Sequence, residues 1–396
     1  VKAPTDLRFF DLPADGLAHR AWADADRAVR HAEQSGVLKG TGDVHADLRA
    51  WARTLGDGGV FAWVVAARDG GHNEEVSALA ITGARERLAY SAPLADLALA
   101  IQGLGSYGIG THGSDALRAE WLPGVRSGTT IAALALTEPE AGSDLGNVQT
   151  SAKRDGDHYV LDGEKAFISN AGVSDFFVVL ARTGAAGTPK PLSAFVVPST
   201  AAGLSVTPQE VLGAHPIGRV HFRSVRVPAS SRLGEEGAGM AVALGTLHRF
   251  RTTVGAAAVG FAARALDETR HHVTTRHQFG APLASLQAVQ IRLADMASEL
   301  TAARVLVYRA ARLLDEPGID RETQSEATSI AKLVATESAQ RIIDHAVQLH
   351  GGVGVLRHGV VAQLYEEVRS LRIYEGTTDV QKLLIARSVL AHKHKE

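Results

Sequence analysis

The segment Arg372-Ile373-Tyr374-Glu375-Gly376-Thr377-Thr378-Asp379 sets a carboxylate between an apolar-aromatic stretch and a Gly-Thr-Thr turn, ahead of a helix over Val380 to Leu390. A carboxylate partly desolvated by Tyr374 and a ligand has its pKa raised toward the range useful to a general base. Plain structure also fits these residues: Asp379 or Thr378 caps the helix and Glu375 is a solvated loop carboxylate. In Arg276-His277-Gln278-Phe279-Gly280-Ala281-Pro282, with Gln287 beyond, an Arg and a Phe three positions apart share a helix face or end. Together they suit a phosphate and an adenine ring, through a bidentate charge contact and stacking. A helix ending at Gly280, with Pro282 forcing the exit, is the structural alternative. Leu136-Thr137-Glu138-Pro139-Glu140-Ala141-Gly142-Ser143-Asp144 follows an apolar, strand-like stretch. Such a run is usually a simple loop, yet it also offers backbone N–H and hydroxyl donors to a phosphate or heterocycle.

Other patterns promise chemistry without supporting it. Gly103-Leu104-Gly105-Ser106-Tyr107-Gly108 satisfies G-x-G-x-x-G but follows a helix-like stretch rather than a strand, so a helix break and turn is expected there instead of a dinucleotide site. The adjacent His271 and His272 point about 100° apart on a helix. His345 and His350 are poorly spaced for joint ligation, and His392 and His394 lie in a basic tail, so no metal site is expected. Cysteine is absent, which excludes disulfides, thiolate catalysis and Cys-ligated metals. A net charge of -2 gives no electrostatic case for nucleic acid or an anionic membrane. The longest mostly apolar stretch, Val254 to Ala263, is too short to span a bilayer. The opening residues from Val1 carry no secretory signal, and a cytoplasmic protein is the expectation.

The elements that must position these segments change character twice. At 396 residues, two or three packed units are expected. Up to about residue 130 the chain is Ala-, Leu- and Arg-rich, with helical stretches at Asp43 to Thr54 and Ala92 to Ile101. From Thr130 to about Leu233, β-branched and aromatic runs alternate with turns. Gln149 to Arg154, an Asp155-Gly156 turn and His158 to Leu161 read as a hairpin. Strands follow at Phe176 to Leu180, Ala194 to Val197 and Val220 to Val227, separated by turns such as Gly184 to Pro191, giving an antiparallel sheet or small barrel. After Gly239 helical spacing returns. Leu293, Met296, Ala297, Leu300, Ala303 and Val307 share one face, as do Ala327, Ile330, Ala331, Val334 and Ala335.

The three segments, in this order and at these separations, resemble the acyl-CoA dehydrogenase family. So do Gly163-Glu164-Lys165-Ala166-Phe167-Ile168-Ser169-Asn170, Arg226-Val227-Pro228, Leu233 to Gly239, and Gln348-Leu349-His350-Gly351-Gly352. The likeness is close from about residue 130 onward and looser before it. It implies an α+β fold: an N-terminal helical domain (1–129), a middle antiparallel β-domain (130–235) and a C-terminal four-helix domain (236–396). It further implies FAD between the β-domain and the C-terminal helices. Leu136, Thr137, Gly142 and Ser143 match positions on the flavin ring or pyrophosphate, and Phe167 and Ser169 match positions flanking the flavin. Arg276, Phe279, Gln287, Gln348 and Gly352 match those reaching the ADP half of FAD in a partner subunit, and Thr377 and Asp379 those beside the catalytic turn. A homodimer or homotetramer follows. Ser143, His248, Arg251, Tyr374 and Gly376 match the substrate side, and Glu375 the base that takes the α-proton of an acyl-CoA while a hydride leaves for flavin N5. The product would be a trans-2-enoyl thioester, with reoxidation by an electron-transfer flavoprotein or similar acceptor.

Some members carry the base one residue before the Arg matched by Arg251; that position is Phe250, so the assignment falls on Glu375. A Trp common near the flavin is Phe167, and a carboxylate common on the pantetheine arm is His248, followed by Arg249. An Arg frequent before the third β-segment is missing from Leu212 to Ile217. These departures keep open a carrier-protein-tethered acyl substrate in place of free CoA. A flavin monooxygenase on the same fold typically lacks the Glu, and a catalytically silent scaffold or nucleic-acid-binding relative is opposed by the intact base and near-neutral charge.

Overall fold

The computed structural model describes residues 16–184 and 190–391. The reading of the first residues, part of the Gly184–Pro191 turn, and His392 and His394 lie outside them. The chain forms two compact units. One takes in residues up to Asp26, Ala78–Asp96 and the chain from Arg251 onward; the other takes in Arg27–Ser77 and Leu97–Phe250.

Five helices come first: α1 (Leu17–Ser35), α2 (Val44–Asp57), α3 (Ala78–Ser91), α4 (Pro93–His112) and α5 (Asp115–Ser127). Helix α2 starts where Asp43 accepts the backbone N–H groups of His45 and Ala46 at 2.9 and 3.2 Å. The G-x-G-x-x-G run does not break its helix, contrary to expectation; α4 runs through it unbroken. A Cβ at Gly103 would lie 2.3 Å from the Phe250 ring, and one at Gly105 would lie 2.6 Å from the Ala132 Cβ. These glycines serve close packing rather than a turn or a phosphate.

The second unit carries the sheet: β1 (Ala132–Ala135), β2 (Ser151–Asp155), β3 (His158–Ser169), β4 (Phe176–Arg182), β5 (Leu192–Pro198), β6 (Leu204–Gln209), β7 (Ile217–Pro228) and β8 (Arg232–Leu233). Its order is β6-β7-β3-β2-β4-β5-β8, with β1 beside β4. The β2–β3 hairpin pairs Asp155 with His158, and Gly156 at φ 62° supplies the left-handed residue of the turn. The sheet is mixed rather than purely antiparallel. The chain returns through that hairpin before β4, so β4 lies parallel to β1 and, at Ser151–Arg182, to β2. Strand β6 has no counterpart in the sequence reading; its Pro208 sits at the sheet edge, where a missing N–H is tolerated. Tyr159, Phe177, Phe195, Val220 and Phe222 fill the core.

The first unit is helical: α6 (Gly239–Thr275), which begins in the other unit, then α7 (Gln287–Asp315), α8 (Arg321–His350), α9 (Val360–Leu371) and α10 (Thr378–Ala391). Met296, Leu300, Ala303 and Val307 of α7 pack with Ala327, Ala331 and Ala335 of α8, and Val254 and Phe261 of α6 join them. Ala297, placed on that face by spacing, is exposed. Helix α6 stops at Thr275, before the expected Gly280. The short strands β9 (His277–Gln278) and β10 (Ala281–Pro282) then form a hairpin turned by Phe279 and Gly280 at φ 55° and 78°. Arg276 and Phe279 therefore share no helix face.

Candidate active site

Glu375 sits at the end of the loop between α9 and α10, with φ 54°, and Gly376 follows at φ 94°. A left-handed Glu is sparsely populated and persists only where its surroundings over-determine it. Helix α8 does so. Lys332, itself fully buried, donates to the Tyr374 carbonyl at 2.8 Å and to the Gly376 carbonyl. One turn along, Glu337 accepts from Arg372 Nε and from the Thr378 hydroxyl, both at 2.8 Å. Gln381 Nε2 adds a bond to the Gly376 carbonyl at 3.1 Å. Thr377 Oγ1 accepts the Val380 N–H at 3.2 Å, so Thr377 caps α10 rather than Thr378 or Asp379.

The loop alternative also fails on the carboxylate. Glu375 Oε2 is buried and has no hydrogen-bond partner among the described residues. Burial raises its pKa above the ordinary carboxylate value; Arg85, Lys332 and Arg251 oppose the rise, and Asp96 adds to it. Arg251, on α6, has a buried Nε that also lacks a partner, and burial lowers its pKa while Glu375 raises it. Arg85, on α3, grips Asp96 with two 2.8 Å bonds and reaches Thr253 Oγ1 at 3.0 Å. Burial works against the Arg85 charge, but Asp96 outweighs it and the net pKa is raised. A buried carboxylate, three cations and two unsatisfied polar atoms thus meet in one place. Such an arrangement suits proton abstraction from a ligand that completes the missing hydrogen bonds.

The remaining expected residues of this unit lie on its surface. Arg276, Gln287, Gln348, Gly352 and Asp379 are exposed, and Phe279, at the hairpin tip, is 92% exposed. His272 stacks on His350 with ring centroids 4.4 Å apart. Among the described residues no three His, Asp or Glu side chains converge as a metal site.

In the other unit the loop after β1 is clasped by β3. Pairing of β3 with β7 slips between Lys165 and Ile168, freeing the intervening residues from the ladder. Ala166 N–H then reaches the Thr137 carbonyl at 2.9 Å, and Lys165 Nζ reaches the Leu136 carbonyl at 3.0 Å. Lys165 also pairs with Glu138 at 2.8 Å, both side chains buried, and Glu138 accepts the Gln149 and Thr150 N–H groups. The slip swings Phe167 outward at φ 56°, with a 57% exposed side chain, while its N–H meets Gln209 Oε1 at 3.0 Å. Ser169 Oγ is 2.8 Å from His215 Nε2, and burial pushes His215 down to about 4. Gly142 and Ser143 are exposed, and a Cβ at Gly142 would meet nothing. His248, on α6, lies in this unit; Phe250 is fully buried with its ring edge toward Tyr107. Leu136, Thr137, Phe167 and Ser169 are thus gathered around one strand irregularity.

Sequence reading alone did not single out Lys332, Arg85 or His215, nor the Lys165–Glu138 pair inside segments it did quote. Among the described residues no helix is long and apolar enough to cross a membrane.

Comparison with known proteins adds three family matches in chain order: acyl-CoA dehydrogenase N-terminal domain over residues 21–129, middle domain over 133–225 and C-terminal domain over 237–390. The chain is 34% identical over 364 residues to the cyclohexane-1-carbonyl-CoA dehydrogenase of Geobacter metallireducens, spanning 91% of this chain and 93% of that protein. The solved butyryl-CoA dehydrogenase of Megasphaera elsdenii superposes with a TM-score of 0.86 at 29% identity, covering 94% of this chain and 98% of that one. A glutaryl-CoA dehydrogenase from Mycobacterium smegmatis, solved with FADH2, gives 0.84 at 26% identity, covering 99% of both chains.

Proposed function

Because the chain belongs to the acyl-CoA dehydrogenase family, with its helical, β and helical domains, we propose that this oxidoreductase removes the α-proton of an acyl-CoA with Glu375 and releases a trans-2-enoyl-CoA. The observation that carries this reading is the buried, partnerless Oε2 of Glu375 on a left-handed turn ringed by Arg85, Lys332 and Arg251. Burial makes the carboxylate a stronger base than one in water, while the three cations keep enough of it ionised to act. Stabilising charge on the thioester oxygen is the other need of the reaction, and it calls for donors fixed in advance.

The residues fit FAD. Leu136 and Thr137 form a loop fixed through both carbonyls, Phe167 presents an exposed aromatic face, and Gly142 and Gly352 leave open space over their backbones. Ser143, Ser169, Thr377 and Asp379 would add polar contacts, and Arg276, Phe279, Gln287 and Gln348 would meet the ADP half carried by a second copy. FAD, when bound, supplies the hydride acceptor. His248, Arg251, Tyr374 and Gly376 would face the substrate. Exposed Phe279, Val353, Val355 and Leu356 support a homodimer or homotetramer. An electron-transfer flavoprotein is the acceptor that the family resemblance implies.

Anaerobic titration of the flavoprotein with a panel of acyl-CoAs tests the reading. One of them bleaches the flavin in the wild type and fails to do so in a Glu375→Gln variant that retains FAD. Equal bleaching in the variant would remove Glu375 from its role.

A further inference from the structure

The buried cation of α8 bonds to the loop that carries Glu375. We propose that Lys332 is the positioning residue of Glu375: its ammonium bridges the carbonyls on either side of the base and helps hold the carboxylate ionised. The inference rests on the reading of Glu375 as the base. A lysine with no exposure is costly unless its donors and charge are used, and here they are used on one turn only. Two of its three N–H donors go to Tyr374 and Gly376, so the strained φ of Glu375 is pinned from both flanks. On the same helix, Glu337 holds the outer ends of the loop at Arg372 and Thr378.

The charge matters as well as the bonds. The groups facing Glu375 are Arg85 from α3, Asp96 from α4, Arg251 from α6 and Lys332 from α8, with the Tyr374 phenol beside it. Arg85 exerts the largest pull on the carboxylate, offset in part by its partner Asp96; Lys332 comes next, ahead of Arg251, whose Nε lacks a partner. Lys332 is the cation tied to the turn itself. Burial pulls its own pKa down to about 8, with Glu375 and Glu337 working to raise it and Arg251 to lower it further.

The test follows the carboxyl of Glu375 in the flavoprotein by infrared difference titration, taking wild type against Glu375→Gln to assign the protonated band. In Lys332→Met the band's midpoint moves up by about one unit, the low end of what a nearby opposite charge contributes. The acid limb of kcat/KM moves with it, so the rate below the midpoint falls roughly tenfold at unchanged KM. Lys332→Arg keeps the charge and brings the midpoint back toward the wild type. If Lys332→Met does not fold, Lys332→Gln replaces it, with the same upward move expected. A Met or Gln variant titrating at the wild-type pH, or an Arg variant displaced as far as Met, overturns the proposal while leaving the dehydrogenase reading intact. A shifted band in a protein that no acyl-CoA bleaches does the reverse: Lys332 keeps its role and the proposed reaction falls.

Discussion

Replacing Lys165 with Met removes one half of a fully buried ion pair and leaves the other half in place. Lys165 is unexposed and Glu138 nearly so; the carboxylate keeps two backbone donors, at 2.6 and 2.9 Å, but loses its counter-charge at 2.8 Å. Breaking a buried pair from one side costs about 3–5 kcal/mol. For a unit of this size, each kcal/mol lowers Tm by about 2–4 °C, so the expected fall is roughly 6–20 °C. The pH dependence gives the argument a second edge. In the wild type burial pushes the Glu138 carboxyl up, but Lys165 and the hydrogen bonds outweigh it and hold it below the ordinary value. Its contribution is therefore present above the unfolded pKa and lost as pH falls through the lower, folded pKa. Without Lys165, burial dominates and the carboxyl protonates more readily in the fold, so the variant's deficit shrinks as pH falls toward 5. Urea unfolding at a series of pH values, read by tryptophan fluorescence, measures both quantities. A deficit under about 1 kcal/mol at pH 7.5, or one that grows on acidification, would refute the reasoning. Because Lys165 also holds the Leu136 carbonyl, the same variant should retain less flavin after gel filtration.

Two further outcomes follow from groups already described. Glu375→Gln should be more stable than wild type at pH 8. Its folded pKa is raised, so between the unfolded and folded values the native state binds more protons, and stability falls as pH rises through that window. Thermal melts of the two proteins should converge as pH approaches 4.5, and a variant less stable at pH 8 would count against a desolvated carboxylate. Gly103→Ala forces a methyl to within 2.3 Å of the Phe250 ring and should cost about 1–3 kcal/mol, with the visible flavin spectrum unchanged. A spectral shift without loss of stability would mean that the run touches the cofactor after all.

How much of this could be read from the chain follows from distance along it. The Glu375 turn, the β2–β3 hairpin and the apolar faces of α7 and α8 are local patterns, and local patterns are legible. The groups that condition the base are not local. Lys332 acts on residues 42 and 44 positions away, and within α8 it looks like an ordinary solvated lysine. A signal was there: it stands three and four positions from Thr328, Ala335 and Thr336, which are all buried. Arg85 is hidden in the same way within Arg85-Glu86-Arg87, a charged run that reads as a wet face and is fully buried. The hairpin after α6 was missed for the opposite reason. Gly280 reads as a helix stop, but Phe279 and Gly280 together turn a hairpin, with Phe279 in a left-handed backbone that a bulky residue rarely adopts.

Buried Glu86 also imposes an order on how the protein is made. Its partner Arg304 lies 218 positions downstream. At the ribosome's pace of about 5–20 residues per second, that interval is roughly ten to forty seconds. Throughout it, α3 cannot pack as it does in the finished fold, because burying Glu86 without Arg304 would leave an unpaired buried charge. A nascent chain stalled before α7 therefore leaves apolar side chains of α3 such as Ile81 and Leu88 uncovered, the kind of surface that invites aggregation and chaperone capture.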